Sequence, residues 1–272
     1  MSGAFYLLLH TLKRNRTLVF TTGILIAAFQ IVLVLVGRSL HRSGTFSQIE
    51  AMMPPFIRAV FGPSLASFMS FAGITCVGYI EIAVIGALVA ISMALATTPA
   101  AEIETGFIDL ILSRPIARHW IITRTIVALA VSVGTLCVMM MAGTWIGLKM
   151  LAPPDAILPS ARLIGSLALN LALLTLSWGG VAMALGSVSR RRRVAGGIAG
   201  LLALSTYLLE YTGRLWKPAE SVSWLSPFHY YTPFELVMGN PLPAKNLLVL
   251  AGIAVAGFAA AYVLYSRRDI AK

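Results

Sequence analysis

The sequence predicts an all-α integral membrane protein that crosses the bilayer six times. Only 11% of its 272 residues are charged, whereas a soluble domain carries about 25%. Hydrophobic residues make up 58% of the chain. They fall in runs of about 20 residues, long enough to cross a hydrocarbon core of about 30 Å as helices. These runs are continuous rather than alternating, so the pattern is not that of a membrane β-barrel.

Each predicted span is a long apolar run between polar or turn-forming segments. Lys13, Arg14 and Arg16 precede the first run, as in a signal peptide. That run is longer than a usual signal core, however, and no clear small-x-small cleavage site follows it. We therefore interpret it as a retained span and the chain as one membrane domain over residues 1–272. The predicted spans cover approximately residues 17–36, 72–96, 125–148, 163–188, 194–211 and 246–265.

Residues 2–15, which precede the first span, predict a helix lying in the membrane interface. Phe5, Leu8, Leu9 and Leu12 fall on one helical face, and two basic residues follow them. One apolar face beside basic residues is typical of an interfacial helix. A disordered basic tail is the alternative.

The distribution of basic residues predicts the orientation of the chain. Six spans place both termini on one side of the membrane. The segments on that side hold 13 of the 21 Lys and Arg residues, including the run of four at 190–193, and the other segments hold 8. The excess predicts that both termini are cytoplasmic. The formal net charge of +11 then follows from topology, and we expect no nucleic-acid partner.

The segment between the second and third predicted spans is unusually polar for this chain. Thr98 is a candidate N-cap, and Pro99 occupies the first helical position, where its missing N–H costs nothing. Pro115 disfavours helical geometry at Arg114, so a helix should end there. The apolar residues share one face at helical spacing: Ile103, Phe107, Leu110 and Ile111. The pattern predicts a short amphipathic helix over residues 99–113; a helix that contacts only lipid is the alternative.

This segment, AEIETGFIDLILSRPIARHWIITR, resembles the cytoplasmic coupling region of type-2 ATP-binding-cassette (ABC) transporter permeases. That family shows a Glu, a Gly about four residues later, an apolar stretch, a Leu-Ser-x-Pro-like turn and a basic residue. The matching residues are Glu102, Gly106, Leu110 to Leu112, Ser113, Pro115 and Arg118. The six spans, the N-terminal interfacial helix and the proline-rich and aromatic loops agree with the family, so the resemblance covers nearly the whole chain.

The resemblance implies the membrane-spanning subunit of an ATP-driven exporter, forming a homodimer on two cytosolic ATPase subunits. The short helix would dock into a cleft of the ATPase. The sequence contains no G-x-x-x-x-G-K-[ST] motif, so ATP would bind to the partner, and we expect the chain to be no enzyme and to hold no cofactor. A bacterial inner membrane is the expected location. The coupling residues implied are Glu102, Glu104, Gly106, Arg114, Pro115 and Arg118.

Two acids inside the predicted spans, Glu81 and Glu210, are candidates for a substrate path, because ionisable groups within a membrane are usually functional. They also leave open a secondary transporter driven by an ion gradient, which would need buried acids along a path. A third hypothesis is a membrane enzyme or an assembly protein without transport activity, and the absence of a catalytic constellation counts against the enzyme.

Small residues in the fifth span suggest a contact surface. Gly196 and Gly200 form a G-x-x-x-G motif, which allows either tight packing within the chain or a dimer surface. Cys76 and Cys137 lie in apolar surroundings and are interpreted as small hydrophobic residues. No metal-ligand or nucleophile pattern is present, so no metal site is expected.

Overall fold

The computed structural model describes residues 2–43, 69–106, 119–213 and 216–267, with the side chains of residues 2–5, 217 and 219 excepted. Every regular element within these ranges is helical. Six helical segments are long and apolar enough to cross a membrane, which confirms the predicted fold class. The six spans lie within the helical segments Ser2–Arg42, Phe71–Ala96, His119–Leu151, Ala161–Val188, Arg192–Gly213 and Ala244–Ser266.

The first span and the predicted interfacial helix form one continuous helix, Ser2–Arg42. The N-terminal residues are therefore helical, as predicted, but they are not a separate element. The reason lies in the sequence, because residues 2–42 contain no proline and the stretch between Lys13 and Thr17 has no glycine that would end a helix.

The second span is interrupted where the sequence predicts one run over residues 72–96. It consists of a helix Phe71–Cys76, a 3₁₀ helix Val77–Tyr79 and a helix Ile82–Ala96. Glu81, between them, is extended, with φ −63° and ψ 122°. The Tyr231 hydroxyl donates a hydrogen bond to the Tyr79 carbonyl. The interruption therefore leaves this carbonyl with a partner, as backbone at membrane depth requires.

Glycines set the closest contacts between spans. A Cβ atom placed on Gly143 would lie 2.5 Å from the Ala27 carbonyl oxygen, so spans three and one touch backbone to backbone. Similarly, a Cβ on Gly180 would lie 2.7 Å from the Ala254 carbonyl oxygen, between spans four and six. Small residues at such positions allow close helix approach.

The G-x-x-x-G motif of the fifth span has a different environment. A Cβ atom placed on Gly196 or Gly200 would meet no described atom within 4 Å. Within the part of the chain that the structure describes, this motif therefore does not mediate tight packing, and the dimer-surface alternative remains.

The bundle has two ends, which carry different contacts. The terminal end holds the start of the first span, the residues after Ala96 and the beginnings of spans three and five, joined by polar contacts. The distal end holds the end of the first span and the segment from Trp216 to Pro243. There, the exposed Asp155 carboxylate lies 2.9 Å from His41 Nε2, and this hydrogen bond lowers the pKa of Asp155.

The two cysteines are buried and form no disulfide.

Candidate functional site

A short helix at the terminal end, Thr98–Glu104, follows the second span after a bend at Thr97. We call it the linker helix. Two threonines bond to carbonyls of the last turn of the span: Thr97 Oγ1 donates to Met93 O at 3.0 Å, and Thr98 Oγ1 donates to Leu95 O at 2.7 Å. The N-cap is Thr97 rather than the predicted Thr98, so Pro99 is the second residue of the linker helix rather than the first, still within its first turn.

The linker helix is shorter than the sequence predicts. The prediction of an unbroken helix over residues 99–113 is wrong, because the helix ends at Glu104 and Gly106 adopts a φ of +70°. Glycine tolerates this left-handed conformation and commonly ends helices in this way. The later part of the predicted helix lies outside the described residues, together with Arg114, Pro115 and Arg118.

Glu102 is the buried centre of an ion-paired cluster. Glu102 as a whole residue is only 3% exposed. Its Oε2 accepts a hydrogen bond from Arg124 Nη2 at 2.5 Å, and Arg14 Nη2 lies 3.8 Å from its Oε1. Because Arg14 belongs to the first span helix and Arg124 to the third, one carboxylate joins the linker helix to two spans. We call Glu102, Arg14 and Arg124 the Glu102 cluster.

Glu104 joins the linker helix to the fifth span. Its Oε2 accepts a hydrogen bond from the backbone N–H of Arg192, the first residue of that helix, at 2.9 Å. A carboxylate at this position also interacts favourably with the positive, N-terminal end of the helix dipole. The Arg192 side chain donates from Nη2 to the Ala94 carbonyl at 2.8 Å, near the end of the second span.

These contacts make the linker helix a common attachment point. Glu102 binds spans one and three, Glu104 binds span five, and the chain itself continues into span two. A movement of the linker helix would therefore act on four of the six spans.

Three arginines of this site were not singled out by the sequence analysis: Arg14, Arg124 and Arg192 were counted only for topology. A signal existed for Arg124. It opens the long apolar run of the third span, where a charge needs a partner. For Arg14 and Arg192, each of which lies among other basic residues, the sequence offers no comparable signal.

Glu210, one of the two candidates for a substrate path, lies at the distal end. The residue is 9% exposed, and its Oε2 lies 3.1 Å from Nδ1 of His229. Glu210 also lines a groove of about 570 Å³ between the second and fifth spans. Phe228, which closes the distal part of this groove, packs against Trp178 and Tyr207.

Glu81, the other candidate, lies at the interruption of the second span. Its neighbours Ile80 and Ile82 line the groove, whereas Glu81 itself is not among the described lining residues. The structure thus brings Glu210 and the backbone next to Glu81 to the same groove. Within the described ranges, no three His, Cys, Asp or Glu side chains come together as a candidate metal site.

Comparison with known proteins agrees with this architecture. The family model described as "ABC-2 family transporter protein" matches residues 14–270. The matched range includes the residues that make the contacts described above at the linker helix and the groove. No curated protein matches the sequence significantly. Because the family model covers nearly the entire sequence, the chain belongs to the ABC-2 transporter family and is a permease component of an ABC transporter.

Proposed function

We propose that this chain is the membrane-spanning subunit of an ATP-driven exporter, and that it works as a homodimer with two separate cytosolic ATPase subunits. The ATPase subunits bind and hydrolyse ATP, because this sequence has no G-x-x-x-x-G-K-[ST] motif. The terminal end of the bundle faces the cytoplasm of a bacterial cell, since it carries most of the basic residues.

The Glu102 cluster is the observation that carries this proposal. A coupling device must pass displacement from the ATPase to several spans, and a buried ion pair holds its two elements in one geometry. Arg124 and Glu102 are each 4% exposed in their side chains. Pulling such a pair apart costs several kcal/mol, so the spans move with the linker helix rather than away from it.

The surface offered to the ATPase begins at Gly106. In this arrangement Glu102 acts from within and transmits movement, whereas Gly106 allows close approach to the ATPase. Arg114 and Arg118 supply contacts with the ATPase, and Pro115 fixes the turn back toward the third span. Glu104, engaged with Arg192 in the structure, exchanges this contact for one with the ATPase during the cycle.

The fifth span is the proposed dimer surface. Leu201, Leu204 and Leu208 on this helix are each at least half exposed, and a Cβ on Gly196 or Gly200 would meet no described atom within 4 Å. Apolar side chains around small residues form the kind of surface on which membrane helices associate.

Affinity purification from the native membrane in mild detergent, followed by mass spectrometry, tests the proposal. We expect a cytosolic ATPase with a Walker motif to be recovered in equal amount, with two copies of each chain in the complex. Recovery of the permease alone as a stable monomer or dimer would overturn the ATPase partnership and favour the secondary transporter.

A matched pair of variants tests whether the terminal end is the docking end. Gly106 and Gly239 both have positive φ, 70° and 93°, and at both a Cβ would meet no described atom within 4 Å. Gly106→Trp and Gly239→Trp therefore each place a large side chain on a left-handed backbone position, at opposite ends of the bundle. We expect Gly106→Trp alone to release the ATPase or to abolish coupled ATP hydrolysis. Equal effects of the two variants would contradict the assignment of the docking end.

A further inference from the structure

Two basic runs meet at the terminal end of the bundle, one in the first helix and one at the start of the fifth span. Arg14 Nη2 of the first run lies 3.8 Å from Glu102 Oε1, and the backbone N–H of Arg192 in the second run donates to Glu104. Both acids belong to the linker helix, so the two runs converge on one corner of the bundle. The seven members of this basic corner are Lys13, Arg14, Arg16 and the arginines at positions 190–193.

The acids of this end neutralise only part of the charge of the basic corner. Among the residues that the structure describes, Glu102 and Glu104 are the only acids at the terminal end. Each is already engaged, Glu102 with Arg124 and Glu104 with the backbone of Arg192. Five members of the corner are exposed and form no ion pair with a described residue: Lys13, Arg16, Arg190, Arg191 and Arg193. The corner therefore carries an excess of positive charge.

The turn between spans four and five keeps its arginines at the membrane surface. The fourth helix ends at Val188 and the fifth begins at Arg192, so three residues join two membrane-crossing helices. A connection of three residues reaches at most about 11 Å even when extended. Val188, two residues before Arg190, is 61% exposed, and an exposed apolar side chain at the end of a span contacts acyl chains. Arginines so close to the hydrocarbon edge extend their guanidinium groups to the level of the lipid phosphates.

The first helix repeats this arrangement. Lys13 and Arg16 are followed by Leu18 and Phe20, which are 44% and 53% exposed. In both runs, positive charge and exposed apolar surface thus lie within about two helical turns of each other. A phospholipid with a net negative charge matches both features, since its phosphate meets the cations and its acyl chains meet the apolar side chains. A soluble acidic protein would match only the charge.

From these observations we propose that the basic corner binds anionic phospholipids, with the guanidinium groups of Arg190, Arg191 and Arg193 on the headgroup phosphates. A guanidinium group fits two phosphate oxygens at once, through two parallel N–H···O bonds. Arg192 holds the turn in place, since its Nη2 donates to the Ala94 carbonyl at 2.8 Å. The inference goes beyond the proposed function and holds for either orientation of the chain, because it concerns the bilayer surface at the terminal end.

Lipid titration of the purified full chain in detergent, followed by native mass spectrometry, tests the site. Phosphatidylglycerol and phosphatidylcholine with the same acyl chains carry the same phosphate, but the choline cation cancels its charge in the second lipid. We expect phosphatidylglycerol to bind at least about tenfold more tightly, because each basic residue near an anionic headgroup adds to the attraction. Equal affinity for the two lipids, or no resolved binding of either, would overturn the proposal.

Two variants with the same change of charge assign the binding to the basic corner. The test variant combines Arg190→Gln, Arg191→Gln and Arg193→Gln. The control variant makes the same change at three exposed basic residues of the distal end: Arg42, Lys149 and Arg162. We expect the test variant to bind phosphatidylglycerol about tenfold more weakly than the wild type, and the control to bind it as the wild type does. Wild-type affinity in the test variant, or an equal loss in both variants, would place the binding elsewhere and overturn the assignment.

A lysine variant separates headgroup binding from the orientation of the chain. Removing three charges also weakens the signal that orients the spans. Arg190→Lys, Arg191→Lys and Arg193→Lys combined keep that signal, whereas lysine lacks the rigid fork of N–H groups that fits a phosphate. Should the glutamine variant fail to insert, the lysine variant should still bind phosphatidylglycerol more weakly than the wild type. Wild-type affinity in the lysine variant would then overturn the assignment to the guanidinium groups.

An acidic surface of the ATPase is the competing occupant of the basic corner, and the glutamine variant distinguishes it from lipid. A glutamine variant that no longer recovers the ATPase, yet keeps the wild-type preference for phosphatidylglycerol, would overturn the proposal. Lipid binding is measured on the permease alone, whereas the ATPase partnership is measured by co-purification. Failure of one proposal therefore leaves the other intact.

Discussion

The terminal and distal ends of the bundle each bury an acid, and the two acids have different surroundings. Glu102 lies between two arginines that belong to different spans. Glu210 lies against a histidine and lines an open groove. A carboxylate bound by arginines from two helices holds those helices together. A carboxylate on the wall of a groove contributes polarity to a surface that a ligand can reach.

The comparison separates two tasks within one short chain. Contacts at the terminal end join the linker helix to the spans, and the distal end forms a cavity from an interrupted helix and aromatic rings. On this division, substitutions at the terminal end should lower stability or coupling. Substitutions in the groove should change ligand binding at smaller cost to the fold.

The largest expected effect is that of Glu102→Leu. The substitution leaves Arg124 buried without its carboxylate, which typically costs about 3–5 kcal/mol. Thermal unfolding of the purified protein in detergent should show a large loss of stability, and Glu220→Leu, at an exposed acid, should show little. The double variant Glu102→Leu with Arg124→Leu should recover much of the loss, because no charge is left buried. If the double variant loses as much stability as the two single variants combined, the result would contradict an energetic coupling between Glu102 and Arg124.

Gly143→Val should have the next largest effect. Its side chain would meet the Ala27 backbone, at 2.5 Å for the Cβ alone, and overpacking of this kind costs about 1–3 kcal/mol. Gly196→Val introduces the same residue into open space and serves as the control in the same unfolding experiment. Gly196→Val should instead weaken the dimer, measured by native mass spectrometry. An equal loss of unfolding free energy in Gly143→Val and Gly196→Val would show that the fifth span is also tightly packed.

A smaller effect is expected for Tyr231→Phe. It removes the hydrogen bond to the Tyr79 carbonyl at the interruption of the second span, worth about 0.5–1.5 kcal/mol. Tyr230→Phe is the matched control, because the Tyr230 hydroxyl donates to the Trp224 carbonyl at 3.0 Å in an exposed position where water can replace it. We expect a measurable shift of the unfolding temperature for the first variant only. The reverse order would contradict the role given to Tyr231.

Hydropathy was sufficient to predict the six spans, because the length of an apolar run is a local property of the sequence. The interruption near Glu81 was not predictable in this way, since apolar residues continue through it. The carbonyl that it exposes is bonded by Tyr231, which lies 152 positions away in the chain. Local patterns carry no information on such a partner.

The candidate coupling residues were predicted in part. The segment after the second span was recognised from its polarity and from the family pattern. The end of the linker helix was missed, although Gly106 gives a usual C-terminal signal, because the apolar stripe continues beyond it. The burial of Glu102 depends on Arg14 and Arg124, which come from two other helices, so only the tertiary structure shows it.

The central claim is that the Glu102 cluster passes movement between the ATPase and the spans. The most direct test is ATP hydrolysis by the reconstituted complex, compared with hydrolysis by the ATPase subunit alone. The variant is Glu102→Gln combined with Arg124→Gln, which removes both charges and leaves no buried ion. We predict that this variant still binds the ATPase but no longer changes its rate of hydrolysis. A variant complex that alters hydrolysis as the wild type does would contradict the claim.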